Sequence, residues 1–270
     1  MLFRSTDVGG TLFFGAKDGT HGNELWKSDG TEAGTVMVRD IGPGPGWPFP
    51  FWLTAVGGTL YFEAKDARHG YELWKSDGTE AGTVMVKDIW PGPTDSAPSW
   101  LTDVGGTLYF EADDGTHGNE LWKSDGTEAG TVMVRDIGPG LDSSYPGWLA
   151  DVGGTLFFWA ADRTHGYELW KSDGTKAGTA MVRDILPGPY SSSPTPLTDV
   201  GGTLYFTADD GTHGNELWRS DGTKAGTVMV RGIWPGSGGS SPGSLTDVGG
   251  TLFFEATDRT HGAELWKSGG

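Results

Sequence analysis

Three features recur at an interval of 48 residues. Tryptophan stands at Trp26, Trp74, Trp122, Trp170, Trp218 and Trp266, and histidine at His21, His69, His117, His165, His213 and His261. Val-Gly-Gly begins at Val8, Val56, Val104, Val152, Val200 and Val248. With short apolar runs of strand length and no helical period, they predict an all-β chain. The expected fold is a six-bladed β-propeller of 48-residue, four-stranded antiparallel blades, the last lacking its outer strand. The 270 residues are expected to form a single propeller domain. Its repeats run at about 1–48, 49–96, 97–144, 145–192, 193–240 and 241–270.

The repeat at 101–148 shows each element in order. Leu101–Val104 reads as a short strand, and Gly105-Gly106 as a tight turn that needs positive φ. Thr107–Ala112, rich in β-formers, is the second strand, and the loop 113–118 leads to a third strand at Glu120–Lys123. Ser124-Asp-Gly-Thr closes another hairpin, and the fourth strand is expected over 131–137, with counterparts at 35–41, 83–89, 179–185 and 227–233. The link 138–147 is the longest and least regular segment. Three short hairpin turns and one long link describe a meander that steps to its neighbour.

Such a blade is apolar on both faces: Leu108 and Phe110 point one way and Tyr109 the other, while Val132 and Val134 oppose Met133. Both faces become dry only when blades stack, and a ring achieves this with short edges. A linear array of meanders, the alternative, leaves apolar faces bare at its ends unless they are capped.

The phrase Glu-Leu-Trp-Lys-Ser-Asp-Gly-Thr at 24–31, 72–79 and 120–127 resembles the signature of the bacterial ELWxxDGT (hyalin-like) repeat proteins. The flanking Ala-Gly-Thr and Asp-Ile-x-Pro-Gly elements extend the resemblance over essentially the whole chain. It implies an exported or cell-surface origin and no settled activity. The opening 98–110 is also similar to the blade opening of NHL-type propellers, which supports the strand assignment.

In the sixth repeat the sequence reaches Ser268-Gly-Gly270 where another Asp-Gly-Thr and a fourth strand are due. A three-stranded last blade with an open outer edge is expected. That edge can pair with another copy, stay exposed, or mark a boundary within a longer protein.

Composition narrows the function classes. The formal net charge of −17 disfavours nucleic acid and anionic membrane surfaces as partners. There is no cysteine, hence no disulfide and no thiolate metal site. No apolar stretch approaches the roughly 18 residues of a membrane span, so membrane insertion is not expected. The chain enters the repeat at once, with no signal-peptide core, so an extracellular or cell-surface location is expected only of a longer parent protein.

The set Asp-x-x-His-Gly-x-Glu, for example Asp66/His69/Glu72 and Asp114/His117/Glu120, holds cation-competent ligands. Its presence in all six repeats favours a folding role, with the Asp capping its own turn and the His tethering a hairpin. No metal or cofactor is therefore expected. The repeated tryptophan is expected in the core, where each buried indole contributes roughly 4–6 kcal/mol gross, from about 150–250 Å² at about 25 cal/mol per Å². Catalysis needs one group set apart from its copies. The breaks in the repeat, Gly232, Ala55, Trp159 and Ala67-Arg68, add no nucleophile beside a base, and no enzyme is expected.

Variation concentrates in the links, which carry Trp47, Trp52, Trp90, Trp100, Tyr145, Trp148, Tyr190 and Trp234 among Pro, Gly and Ser. Aromatic side chains on ordered loops can stack sugar rings or dock peptide, and can equally cover blade ends. Trp47, Trp52, Trp90, Trp100, Trp148, Tyr190 and Trp234 are the candidate ligand-binding residues. The expected function is a non-enzymatic binding or adhesion module, with glycans or surface polymers engaged multivalently in a lectin-like manner. A structural repeat scaffold without a small-molecule ligand, natural or engineered, is the alternative.

Overall fold

The structure is a computed structural model that describes residues 5–42 and 50–268. Among these the chain forms six antiparallel sheets and no helix, each sheet a meander in chain order. The first strands are Ser5–Val8, Phe51–Val56, Ser99–Val104, Gly147–Val152, Thr195–Val200 and Gly243–Val248. The second strands are Thr11–Ala16, Thr59–Lys65, Thr107–Asp113, Thr155–Ala160, Thr203–Asp209 and Thr251–Asp258. The third strands are Glu24–Ser28, Tyr71–Ser76, Asn119–Ser124, Glu168–Ser172, Asn215–Ser220 and Gly262–Ser268. Fourth strands, at Val36–Arg39, Val84–Lys87, Val132–Arg135, Ala180–Arg183 and Val228–Arg231, complete sheets 1 to 5. Sheet 6 has three strands among the described residues.

The fourth strands are shorter than expected, and the cause is local. The Ile89 N–H does not extend the ladder; it donates to the buried Glu72 carboxylate at 2.8 Å, and Ile41 and Ile185 do the same to Glu24 and Glu168, each at 2.9 Å. The turns obey their sequence signals. Gly57 and Gly58 both take positive φ, 56° and 81°, as a two-residue hairpin turn demands. In Ser-Asp-Gly-Thr, Asp77 Oδ1 accepts from the Thr79 N–H and hydroxyl at 2.8 and 2.7 Å, and Ser76 and Thr83 pair through their hydroxyls at 2.8 Å.

The chain divides into two compact units, Met1–Met133 and Val134–Gly270. In the first unit, Phe13, Leu25, Val38 and Ile41 of sheet 1 pack on Leu60, Phe62, Ala64 and Trp74 of sheet 2. Tyr61, Leu73, Val86 and Ile89 of sheet 2 pack in turn on Leu108, Phe110, Ala112 and Trp122 of sheet 3. In the second unit, Phe157, Leu169, Val182 and Ile185 of sheet 4 meet Leu204, Phe206, Ala208 and Trp218 of sheet 5. Tyr205 and Leu217 of sheet 5 then meet Leu252, Phe254 and Ala256 of sheet 6.

Trp74, Trp122, Trp170 and Trp218 are each 4–5% exposed and lie in the core, whereas Trp26 and Trp266, expected there too, are half-buried. A cation from the preceding sheet lies over several of these rings: Arg39 over Trp74 at 5.9 Å, Lys87 over Trp122 at 5.8 Å and Arg183 over Trp218 at 5.6 Å. Each such contact stabilises by about 0.5–2 kcal/mol.

Candidate functional site

The sites follow from an irregularity in the first strands. In sheet 2 the pairing runs Phe51↔Glu63 and then Thr54↔Tyr61, so Trp52 and Leu53 together oppose Phe62. Sheet 3 repeats this with Ser99↔Glu111 and Thr102↔Tyr109, and sheet 4 with Gly147↔Trp159 and Ala150↔Phe157. Each is a β-bulge whose first residue is a tryptophan in the left-handed region, Trp52 at φ 55°, Trp100 at φ 57° and Trp148 at φ 53°. Glycine is the usual occupant of such a position, and a bulky side chain there is strained by about 1–2 kcal/mol.

In sheets 2 and 3 a hydroxyl two residues on braces the bulge, which sheet 4 forms with Ala150 in that place. Thr54 Oγ1 donates to the Trp52 carbonyl at 3.1 Å and Thr102 Oγ1 to the Trp100 carbonyl at 2.9 Å. Thr54 also reaches the Leu101 carbonyl at 3.1 Å, and Thr6 reaches that of Leu53 at 2.7 Å, so adjacent first strands of the first unit are tied side by side. The indoles of Trp52 and Trp100 are thereby brought together, with ring centroids 5.2 Å apart and planes at 39°. Both are half-buried.

Glu63 and Glu111 pair across the ladder with Phe51 and Ser99, the residues that precede the two tryptophans. Ser99 Oγ donates to Glu111 Oε2 at 2.7 Å, and burial pushes the Glu111 carboxyl up. Near Glu63, Tyr71 packs on Phe51 at 6.3 Å and carries the Lys65 ammonium 5.5 Å over its ring. A pair of half-buried indoles offers a surface on which the C–H face of a sugar can stack. In the second unit Trp148 is exposed, and Trp159 stacks on Tyr167 at 5.0 Å.

The other expected residues sit elsewhere. Trp90 is half-buried in the link after the fourth strand of sheet 2, and its indole lies so close over Gly115 that a Cβ there would come within 2.5 Å of it. Trp234 is half-buried under the Arg259 guanidinium at 5.7 Å, with Gly238 folded against its Nε1. These two rings cover loops. Tyr190 is 70% exposed, with its backbone carbonyl against Gly166. Trp47 lies outside the described residues.

Trp52, Trp100 and Trp148 were expected at the ends of links and are found inside first strands. No sequence signal announced the bulge, although the Thr two residues after each of Trp52 and Trp100 is its visible correlate.

The Asp-x-x-His-Gly-x-Glu set does not converge. Asp66 accepts from the Arg68 and His69 N–H groups at 2.8 Å and pairs with the His69 imidazole at 3.0 Å. Glu72 turns inward and is fully buried; besides Ile89 it accepts from the Ser96 hydroxyl at 2.6 Å. Burial pushes Glu72 up to about 7, against the hydrogen bonds from Ser96, Ile89 and Trp90. Glu24 is likewise pushed up to about 7, by burial and by the nearby Asp40 carboxylate. The Asp66 partnership raises His69 above its ordinary value. Among the described residues no cluster of three or more His, Asp or Glu side chains is placed to hold a metal ion.

No family model matches the chain, and no curated protein matches it in sequence. Among solved structures it is similar to one from an analysis of two prolyl endopeptidases, with a TM-score of 0.56 at 15% identity. That match covers 98% of this chain and 41% of the other. Prolyl oligopeptidase B from Galerina marginata gives 0.57 at 12% identity, covering 99% and 40%. A puromycin hydrolase S511A mutant complexed with PGG gives 0.50 at 16% identity, covering 98% and 43%. The chain thus spans about two-fifths of the length of these proteins. At such identities the likeness concerns fold alone: this chain has a propeller-like all-β fold of antiparallel sheets.

Proposed function

We propose that the chain is a non-enzymatic binding module whose six sheets act as propeller blades, taking glycans or similar surface polymers on the bulge tryptophans. The observation that carries this reading is the Trp52–Trp100 pair, half-buried and 5.2 Å apart in a backbone conformation that indole does not favour. Strain of this kind persists where a side chain must be aimed, and clusters at ligand sites. Trp148, exposed in the second unit, adds a further contact and makes binding multivalent. The resemblance to exported repeat proteins supports an extracellular or cell-surface setting. The acidic surface argues against nucleic acid, and no helix of the described residues is long and apolar enough to cross a membrane.

A glycan array followed by calorimetry tests the reading. Trp100→Ala and Trp148→Ala should each weaken binding about tenfold or more, as loss of an aromatic anchor does. Unchanged affinity removes these residues from the site. A second reading, a repeat scaffold with no small-molecule ligand, is favoured by the way Trp90 and Trp234 cover loops and glycines. Failure to bind any member of a broad ligand panel would support it.

A further inference from the structure

Within each unit, the seam between consecutive sheets differs by one atom from repeat to repeat. The second strand carries Phe13 in sheet 1 and Phe157 in sheet 4, but Tyr61 in sheet 2. Each ring reaches the glycine of the Ser-Asp-Gly-Thr turn on the next sheet. A Cβ on Gly78 would lie 3.1 Å from Phe13 Cζ and one on Gly222 would lie 3.1 Å from Phe157 Cζ, whereas one on Gly126 would overlap the Tyr61 hydroxyl. Burial and the nearby Asp125 carboxylate push the Tyr61 phenol up, which puts its oxygen beside the turn aspartate.

Where phenylalanine stands, the place of that oxygen belongs to a notch of about 110 Å³. A single water needs only roughly 10–15 Å³ of such space, so a larger polar group fits. Thr11, Phe13, Lys27, Ser76 and Asp77 line the first notch, inside the first unit. Thr155, Phe157, Lys171, Ser220 and Asp221 line the second, inside the second unit, and match the first set position for position. Asp77 and Asp221 are exposed and both phenylalanines are buried, so each notch has a polar mouth and an aromatic floor.

Its chemistry suits a hydroxyl group. Lys27 Nζ donates to the Gly78 carbonyl at 2.7 Å and keeps its other donors. Asp77 commits Oδ1 to its own turn, accepting from the Thr79 N–H and hydroxyl at 2.8 and 2.7 Å, and Oδ2 takes no part in those bonds. The Thr79 bonds, and after them the Lys27 ammonium, hold Asp77 below its ordinary value, and Thr223 and Lys171 do the same for Asp221. The Ser76 hydroxyl is engaged within the protein, by Thr83 at 2.8 Å and the Gly78 N–H at 3.0 Å. Ammonium and carboxylate offset each other, so the notch selects neither anions nor cations. A neutral group that both donates and accepts satisfies the pair.

We infer that the two notches are binding sites for the adjacent hydroxyl groups of a neutral polyol or of a terminal sugar, with the carbon stem laid on the phenylalanine edge. Tyr61 displays such an occupant from within the chain: an oxygen on an apolar stem, seated at Gly126 beside Asp125, where Lys75 Nζ also reaches the glycine carbonyl at 2.9 Å. The sites use none of the bulge tryptophans, so they stand or fall independently of the function proposed above.

Titration with glycerol, followed by amide NMR, is the test, because Gly78, Gly126 and Gly222 report three seams separately. The Gly78 and Gly222 amides should shift saturably with a millimolar dissociation constant, and Gly126 should not. Propanol, with the same carbon count and one hydroxyl, should bind at least about tenfold more weakly. Phe13→Tyr should abolish the shift at Gly78 and spare Gly222, Phe157→Tyr should do the reverse, and Tyr61→Phe should open a third site at Gly126. Each variant adds or removes one oxygen at a seam that accepts either ring, so the fold is kept. Methyl glucoside moving the same amides identifies sugar ends as the source of the hydroxyls, and glycerol alone identifies free polyols. Shifts that never saturate, that appear equally at Gly126, or that survive Phe13→Tyr mean that the notches hold water only, and overturn the inference.

Discussion

Trp52, Trp100 and Trp148 share a conformation that costs an L-residue about 1–2 kcal/mol, and the same bulge position in sheet 6 is occupied by Ser244 at φ 53°. Ser244 is exposed and its carbonyl is held by Thr246 Oγ1 at 3.0 Å, so the bulge there carries the strain without an indole. Ser244→Gly should therefore stabilise by about 1 kcal/mol, seen as a rise in the unfolding midpoint of the second unit. A fall in that midpoint would show that the left-handed residue is not strained. In sheet 5 the position is Pro196, which cannot adopt positive φ and is not among the left-handed residues, although the pairing shifts at the same place.

After sheets 2, 4 and 5 the long link is anchored by a buried carboxylate, Glu72, Glu168 and Glu216 respectively. Glu72 gathers the Ile89 N–H, the Ser96 N–H at 3.3 Å and the Ser96 hydroxyl, so one side chain ends the fourth strand and pins the chain on its way to the next sheet. Ser144, Ser192 and Ser240 are as fully buried as Ser96, and Ser192 and Ser240 bond Glu168 and Glu216 at 2.6 and 2.5 Å. Glu72→Ala would leave at least two buried donors without an acceptor. At about 1–3 kcal/mol for each stranded group, a loss near 3 kcal/mol is expected in urea unfolding. A loss under about 0.5 kcal/mol would mean that the link is held by something else.

Over the whole chain these carboxylates set a pH dependence. Glu24 and Glu72 titrate near 7 when folded, above their ordinary 4.5, so the folded state binds the extra proton and stability falls as pH rises from about 4.5 to 7. His21, His69, His165 and His261 are raised by their Asp partners, and their stabilisation, complete below 6.5, is lost as pH rises through their folded values. Asp18 and Asp66 are held below their ordinary 3.8 by the loop N–H groups and imidazoles, which outweigh burial at Asp66. That stabilisation is present above 3.8 and disappears on further acidification. Thermal stability should therefore peak between about pH 4 and 5 and decline toward pH 8. Calorimetry showing a flat or rising melting temperature between pH 5 and 8 would contradict the assignment of Glu24 and Glu72 as buried, protonated groups.

The interval of 48 residues, the alternation of Leu108, Tyr109 and Phe110, and the Gly-Gly and Asp-Gly-Thr turns were enough to place strands, hairpins and the core tryptophans. They suffice because a strand's two faces and a turn's φ requirement are local, repeated properties. Three things depended on tertiary packing. Glu72 parts from Asp66 and His69 because its partners, Ile89 and Ser96, lie 17 and 24 residues away. Trp52 and Trp100 enter a bulge and stack, while Trp90 and Trp234 lie over glycines, although all four are aromatic residues of the same links. Leu12 and Leu265 are exposed while their repeat copies are buried, because burial depends on which sheet lies opposite, and identical residues carry no record of that.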